Sequence, residues 1–345
     1  MPRYSDSTLR GMLLEEAILY ILSKTGYAPI FKKNGDPSLN DGSSGLEVLG
    51  RGARHQIDAV ADFLYTPPFC NQQRLLIEAK FKGSKTGIDI VRNATGVHKD
   101  VSEYWVVDNA TGTRIAKKRF HYLYAIFSKE PFTKPAQDYA YAQDIFLLPL
   151  KNNTLFQPII RAIDNVSFDG AIEKPKLSTV RQYIRSRLFE SITFNAEVDE
   201  DMDVTALFRE LLGGGLDSLI NICHSRGFGF ITMFDGKFPV FLTASRGLDT
   251  FIFNEVNHVK IKVSDGAWLI ESQDGIDLFA FDLPEEIFER YQKSGVLSRR
   301  QLLNIKENHM SEFYVFVSQD GDLKIIKFKL DQLWFELISQ SLGDR

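Results

Sequence analysis

Cysteine is nearly absent. Cys70 and Cys223 are the two among 345 residues, and they lie far apart. They make no CxxC pair and no disulfide framework, which excludes a disulfide-stapled scaffold and zinc held by clustered thiolates, and fits a reducing cytoplasm. No apolar run approaches the roughly 18–20 residues that a membrane-spanning helix requires, so an integral membrane protein is not expected. A basic segment followed by a long apolar run is also missing at the start, and no secretory signal is expected. There is no low-complexity tract and no internal repeat of fixed period. What is present is ordinary for a globular protein: 44% hydrophobic and 25% charged residues, which excludes a disordered chain.

The formal net charge of −4 conceals an asymmetry. Residues 1–165 carry 21 Lys and Arg against 17 Asp and Glu, and residues 166–345 carry 20 against 28. A polyanion is therefore better received by the first half than by the second. The length suggests about two domains.

Thr8–Thr25 reads as a helix, with Leu14, Ala17, Ile18, Ile21 and Leu22 at helical spacing, a cap at Ser7 or Thr8 and a stop at Gly26. The Gly-, Ser- and Asn-rich stretch Asn34–Gly52 reads as a long loop. His55–Tyr65 and Arg74–Phe81 read as buried strands joined by a turn. One helix or two short ones are expected in Ile88–Tyr104, a strand at His121–Ser128, a helix at Lys134–Gln143 and a strand at Asp144–Leu150. Strands alternating with helices argue for an α/β core around a mixed sheet. A connecting helix is expected at Arg181–Ser191. Beyond residue 200 short strand-like runs separated by DG and QDG turns predict a β-rich α+β domain, with helices near Thr205–Ser218, Pro284–Ser294 and Asp331–Leu342. The strand-like runs include TFIFNEV (Thr250–Val256). The three glycines Gly213–Gly215 read as a tight turn between helices, with a hairpin-like bend or a ligand loop as the alternative. The expected division is thus 1–165, a linker over 166–200, and 201–345.

The sharpest chemical signal is Asp58, then 19 intervening residues, then Glu78-Ala79-Lys80. Side chains two apart in a strand share a face, so Glu78 and Lys80 point together. A carboxylate and a lysine inside an apolar strand are costly without partners. A hairpin between the two runs brings Asp58 alongside Glu78, where the two carboxylates repel unless a cation or proton lies between them. Such oxygen ligands suit Mg²⁺, and a neighbouring lysine can orient or help deprotonate a metal-bound water, a combination suited to phosphodiester hydrolysis. The plainer alternative is a structural ion pair on a half-exposed strand.

A helix carrying Glu15 and Glu16, then QIDAV, then LLIEAKF resembles the PD-(D/E)xK nuclease pattern, and specifically the Mrr-like restriction endonucleases. AIFSKEPFTKPAQDYAYAQDIFLLPL (Ala125–Leu150) is similar to that group's closing strand–helix–strand. The resemblance covers about residues 8–165. It implies an αβββαβ core that cuts DNA with Mg²⁺, Mn²⁺ substituting. Asp58 and Glu78 would be metal ligands, Lys80 would position or activate the attacking water, and a helix glutamate would complete the shell. The Gly26-Tyr27 pair favours Glu16, and the Leu14-Glu15 doublet favours Glu15. Many members carry Gln where this chain has Glu78, which returns it to the more general pattern. The resemblance also implies restriction of foreign DNA. Cutting both strands needs two active sites, and hence a homodimer or larger assembly.

Around this core, the Gly42–Gly52 segment with Arg51 and Arg54 is a candidate phosphate cradle, its backbone amides included. It is no P-loop, since no GK[ST] follows. His55 lies three residues from Asp58 and is a candidate neighbour of the site or of its phosphate. Lys82, Lys85, Arg92, Lys99 and the run Arg114, Lys117, Lys118, Arg119 are candidate backbone-phosphate contacts. Asn93 and Asp100 are polar candidates for the cleft. His224, His258 and His309 show no HxxxH spacing, and the second half carries no zinc or Ser/His/Asp motif. Its acidity suits contact with a partner protein or a small ligand better than contact with DNA. Two rival readings stand beside DNA restriction: a nuclease acting on RNA or in repair, and a non-catalytic binding scaffold.

Overall fold

The computed structural model describes residues 4–42, 45–103, 105–108, 110–116, 120–166, 176–194, 204–225, 230–245, 251–264, 266–291, 297–319 and 322–343. The protein is mixed α/β. Its internal contacts divide it into two compact units, Met1–Ser23 with Tyr27–Arg226, and Gly227–Arg345 with Lys24–Gly26.

The first unit runs α1 (Asp6–Ser23), β1 (Tyr27–Ile30), β2 (Leu39–Gly42), β3 (Gly45–Leu49), β4 (Arg54–Gln56), β5 (Ala59–Phe63), β6 (Gln73–Lys80), α2 (Ile88–Val101), β7 (Trp105–Val107), β8 (Arg114–Ala116), β9 (His121–Ser128), α3 (Lys134–Ala142), β10 (Ile145–Pro149), α4 (Gln157–Asp164), α5 (Leu177–Leu188) and α6 (Val204–Ser225). Its main sheet has the order β1-β5-β6-β9-β10. The first three strands pair antiparallel, and β6, β9 and β10 run parallel. β6 is therefore the strand at which the sheet changes direction. Parallel pairing demands a crossover, which α2 supplies between β6 and β9 and α3 between β9 and β10. α1 packs on β1, β5 and β6, while α2 packs on β9 and on α3. One apolar core joins Leu76, Tyr124 and Ile126 of the sheet to Val91, Ala94 and Val97 of α2.

Three local expectations change. Asn34–Gly52 is not a loop throughout: β2, β3 and β4 form a small antiparallel sheet, and its approach is held by Arg74, whose guanidinium reaches Asp36 at 2.8 Å, Ser38 at 2.7 Å and Asp62 at 2.7 Å. The expected strand His55–Tyr65 breaks at Ile57-Asp58, between β4 and β5. Gly213–Gly215 lies inside the continuous helix α6 rather than in a turn. At Gly215 the reason is close packing, since a Cβ would come within 3.0 Å of the Asn165 carbonyl oxygen.

The expected boundary near residue 165 also moves. α5 buries Val180, Tyr183, Ile184 and Leu188, packs on α1, and belongs to the first unit together with α6. An i, i+3, i+4, i+8 apolar stripe has to be covered, and α1 covers it.

The second unit runs β11 (Phe230–Phe234), β12 (Phe238–Ala244), β13 (Val256–Ser264), β14 (Ala267–Ser272), β15 (Asp277–Phe281), α7 (Glu285–Tyr291), α8 (Arg299–Met310), β16 (Glu312–Gln319), β17 (Asp322–Leu330) and α9 (Gln332–Gly343). Its seven strands close into a barrel in the order β11-β12-β15-β14-β13-β17-β16. The β13–β17 pair is parallel and the others are antiparallel. Closure removes the exposed edges that an open sheet would leave. Phe234, Phe279, Phe313 and Phe328 fill the interior. Asp235 and Gly236, with φ of 54° and 63°, make the tight turn between β11 and β12. Of the expected strand TFIFNEV, residues 251–255 are irregular: the Asn257 side chain accepts from the Asn254 N–H and donates to its carbonyl, both at 2.9 Å, and so competes with strand pairing. Among the described residues no helix is long and apolar enough to cross a membrane.

Candidate active site

The site is built at the end of β6. Going along one face of that strand, Leu76 lies in the core, Glu78 is half-buried and Lys80 is half-buried. Apolar packing gives way to polar groups two residues at a time, as strand alternation requires. β5 and β6 pair Ala59 with Ile77, so the same register carried one step further sets Asp58 opposite Glu78. Asp58 is not itself in the strand. Its Oδ2 accepts the Ala79 backbone N–H at 2.9 Å, in place of a ladder bond.

Lys80 links the two carboxylates. Its Nζ contacts Glu78 Oε1 and lies 3.8 Å from Asp58 Oδ2. Glu78 Oε2 accepts from the Tyr124 hydroxyl on β9 at 3.2 Å. Asp58, Glu78 and Lys80 each keep between 15% and 24% of the side chain exposed, so the cluster is reached from solvent.

The electrostatics follow from burial and crowding. Burial and the nearby Glu78 raise the Asp58 pKa, against the opposing pull of Lys80, the Ala79 N–H and Arg181. Burial works against the charge on Lys80, yet Glu78 and Asp58 outweigh it and hold its pKa above the ordinary value. Lys80 is thus a fixed cation at neutral pH, fitted to orient water or to stabilise negative charge rather than to remove a proton. Burial, then Glu78, raises the Tyr124 hydroxyl, which stays protonated as a donor.

The two helix glutamates differ. Glu16 is fully buried and gripped by Arg185 of α5, whose Nε and Nη2 donate at 2.7 and 2.8 Å. Glu15 accepts from Arg181 Nη2 at 2.7 Å and feels Asp58. Burial pushes its pKa up to about 8, despite Arg181, with Asp58 and Glu16 adding to the rise. Glu15 is the helix carboxylate that shares the field of the Asp58–Lys80 cluster, while Glu16 is committed to Arg185.

Among the described residues no three His, Cys, Asp or Glu side chains converge to hold an ion by themselves. Mg²⁺ commonly takes one or two carboxylates and keeps waters, so Asp58 and Glu78 are a sufficient protein contribution. The donor set fits: the hard carboxylate oxygens of Asp58 and Glu78 meet at Lys80, partly exposed to solvent.

The flanking candidates divide. His55 Nε2 is 2.7 Å from Asp100 Oδ2, so its hydrogen bond is to Asp100. The Gly50–Ala53 amides are already used. Gly52 and Ala53 donate to the Asp100 carboxylate at 2.8 and 3.2 Å, Arg51 donates to the Asp100 carbonyl, and Gly50 donates to the Ala53 carbonyl. These backbone amides therefore do not form an open phosphate cradle. Asp100 fills it, and a Cβ on Gly50 would fall 1.9 Å from its carboxylate. The Arg51 side chain is exposed, 3.7 Å from Glu103. Arg54, Lys82, Lys85, Lys99 and Asn93 are exposed, and Arg92 is exposed beside Asp89 and above the Tyr139 ring. Arg114 lies over the Trp105 ring, and Lys117–Arg119 fall outside the described residues. Tyr124, Arg181 and Arg185 were not singled out in the sequence. A tyrosine two residues from Ile126 on the neighbouring strand was a local signal, but the arginines carried none.

Comparison with known proteins adds little to this picture. No protein-family model matches the chain. No curated protein matches it. Among solved structures it is similar to one titled as the crystal structure of a protein of unknown function, AF1548, at 16% identity, covering 51% of this chain and 77% of that one with a TM-score of 0.31. A score so low carries no argument about the fold.

Proposed function

We propose that the first unit is a metal-dependent endodeoxyribonuclease with a restriction-endonuclease-like core, acting in restriction of foreign DNA. The observation that carries this reading is the convergence of Asp58, Glu78 and Lys80 at the end of β6, with one ammonium between two carboxylates. Sequence resemblance to the Mrr-like group over residues 8–165 supports the same reading.

In this scheme Asp58 and Glu78 hold the ion, while Tyr124 and the Ala79 N–H fix the carboxylates in place. A bound Mg²⁺ supplies charge neutralisation and a more acidic water at the scissile phosphate. Lys80, kept charged, orients the attacking water and offsets the charge that gathers on the phosphate oxygens. Glu15 completes the acidic field from α1. Duplex cleavage requires a second such site, supplied by another copy of the chain. The acidic second half is assigned to regulation or recognition through a protein or a small ligand rather than to DNA contact.

The deciding experiment incubates the full chain with supercoiled plasmid in Mg²⁺, in Mn²⁺ and in EDTA, beside Asp58→Ala and Lys80→Ala. Metal-dependent nicking or linearisation that both variants lose is the expected result. Cleavage that survives both substitutions would remove this site from consideration, and cleavage of RNA alone would change the substrate.

A further inference from the structure

We propose that a pocket of about 600 Å³ at the far end of the β5–β6 hairpin binds a phosphorylated ribose, its phosphate held by Lys32 and Lys33 and its hydroxyls by Asp36 and Asp62. Asp58, Glu78 and Lys80 do not line this pocket, and the proposal does not rest on the nuclease reading.

Strand register sets the place. β5 and β6 pair Asp62 with Arg74, and both line the pocket. Asp62 lies four residues beyond Asp58, and Arg74 four residues before Glu78. At the rise of a strand that offset is about 13 Å. β1 pairs with β5 on the other side, and the chain leaving β1 contributes Lys32 and Lys33 to the lining. Gln182 of α5 completes the polar set. All of these residues belong to the first unit. The volume falls in the range of small-molecule sites, roughly 300–1,000 Å³.

The lining groups are of two kinds. Arg74, 1% exposed, is spent on the protein: Nε donates to Asp62, Nη1 to Ser38, and Nη2 to Asp36 and Asp62. It holds the two carboxylates still. Asp36 and Asp62 nevertheless keep 17% and 15% of their side chains exposed, so acceptor positions remain for a ligand. Burial works against the charge on Asp36, but hydrogen bonds from Ser38 and Arg74 outweigh it and lower its pKa. Fixed carboxylates of this kind accept the hydroxyls of a ribose. Lys32 and Lys33 are the opposite case. Lys32 is exposed and Lys33 half-buried, and neither ammonium makes an ion pair among the described residues. Unpaired ammonium groups suit phosphate oxygens. Free cations and fixed carboxylates in one pocket call for a ligand that is anionic at one end and carries O–H donors at the other. A nucleoside lacks the first feature and inorganic phosphate lacks the sugar, whereas a phosphorylated ribose has both.

A mononucleotide and a free ribose phosphate share that chemistry, and titration separates them. Isothermal titration calorimetry uses the full chain in EDTA, so that no metal draws phosphate to the acidic cluster. The ligands are the four ribonucleoside monophosphates, ribose phosphate, adenosine, inorganic phosphate and the dideoxy form of the best-bound nucleotide. Saturable binding of a nucleotide, of ribose phosphate or of both is expected, and their relative affinity identifies the source. Loss of the phosphate or of the sugar hydroxyls is expected to weaken binding roughly ten-fold or more, as is Lys32→Ala combined with Lys33→Ala in a protein that melts like wild type. Absence of saturable binding by any phosphorylated ribose overturns the proposal, as does equal affinity for inorganic phosphate. Unchanged affinity in the lysine variant places the ligand elsewhere, and displacement of the ligand by duplex DNA assigns the lysines to the DNA backbone; either result also overturns it. Should the lysine variant fail to fold, the comparison among ligands decides alone.

Discussion

The Asp58 carboxylate takes its hydrogen bond from the backbone N–H of Ala79, the residue between Glu78 and Lys80, at 2.9 Å. That bond fixes Asp58 relative to the ExK triplet even though Asp58 lies outside the strand. It also brings Asp58 near Glu78; burial, and then that neighbouring carboxylate, raise the Asp58 pKa. The Lys80 ammonium offsets one of the two carboxylate charges, so the pair keeps a net negative charge that a bound divalent ion would neutralise.

Metal addition is therefore expected to raise the melting temperature. Ligand at ten to one hundred times its dissociation constant contributes about 1.4–2.7 kcal/mol. Asp58→Asn preserves the size of the side chain and removes the charge, so it should melt no lower than wild type in EDTA and gain nothing from Mg²⁺. Differential scanning calorimetry with and without metal checks this. A full Mg²⁺-linked shift in the variant would exclude Asp58 as a ligand.

Glu16 gives a second expectation, about stability. It is fully buried, and Arg185 supplies its two closest hydrogen bonds. Removing one partner of a buried pair leaves an uncompensated charge and typically costs about 3–5 kcal/mol, while replacing both by apolar groups is often nearly neutral. Arg181 Nε remains 3.6 Å from Glu16, so Arg185→Met should fall at the low end of that range. Urea unfolding of Arg185→Met, and of Arg185→Met combined with Glu16→Leu, tests this. Equal loss in the single and double variants would mean that packing, and not charge, holds α5 on α1.

How much of this was legible beforehand depended on sequence distance. The strand His121–Ser128 was read with its observed limits because its apolar run is local and bounded. The Asp58…Glu78-Ala79-Lys80 grouping was legible because a hairpin joins neighbouring strands. α8 was missed although its start is written in Ser298 and Gln301, which form a capping box; its polar surface hid the helical period. β2 and β3 were hidden in a glycine-rich stretch whose order depends on Arg74, which reaches Asp36 from 38 residues away. The Arg181–Glu15 contact spans 166 residues, beyond any local pattern. The loop between β3 and β4 was read as part of a phosphate cradle because its glycines allow one, whereas Gly50 and Gly52 in fact make room for Asp100.

Asp100 yields a third expectation. It accepts from Gly52, Ala53 and His55, and these bonds outweigh its partial burial to lower its pKa. A carboxyl with a depressed folded pKa contributes stability above its unfolded value, near 3.9, and loses it as pH falls through the folded value. Asp100→Asn should therefore be less stable than wild type at pH 6, and the gap should narrow as pH falls below about 4. Melting of both proteins from pH 6 to pH 3 checks this. A pH-independent gap would mean that shape, rather than charge, makes the clamp.

The fourth expectation concerns the barrel unit. Lys306 of α8 is 7% exposed, and its Nζ lies 5.3 Å from the centre of the Trp334 ring. Burial alone lowers its pKa to about 8. In the unfolded chain a lysine keeps its proton to about pH 10.4. Between these values the unfolded state binds more protons, so stability should rise as pH increases from about 8 to about 10, and below 8 the buried ammonium carries its full cost. The two shifted pH units correspond to about 3 kcal/mol at most, and the Trp334 face offsets part of it. Lys306→Met should accordingly raise the melting temperature of this unit at pH 7 and confer little at pH 10. If the variant gains equally at both pH values, the stabilisation comes from packing of the thioether; if it loses at pH 7, the cation on Trp334 is a net favourable contact and the burial cost is smaller than the geometry implies.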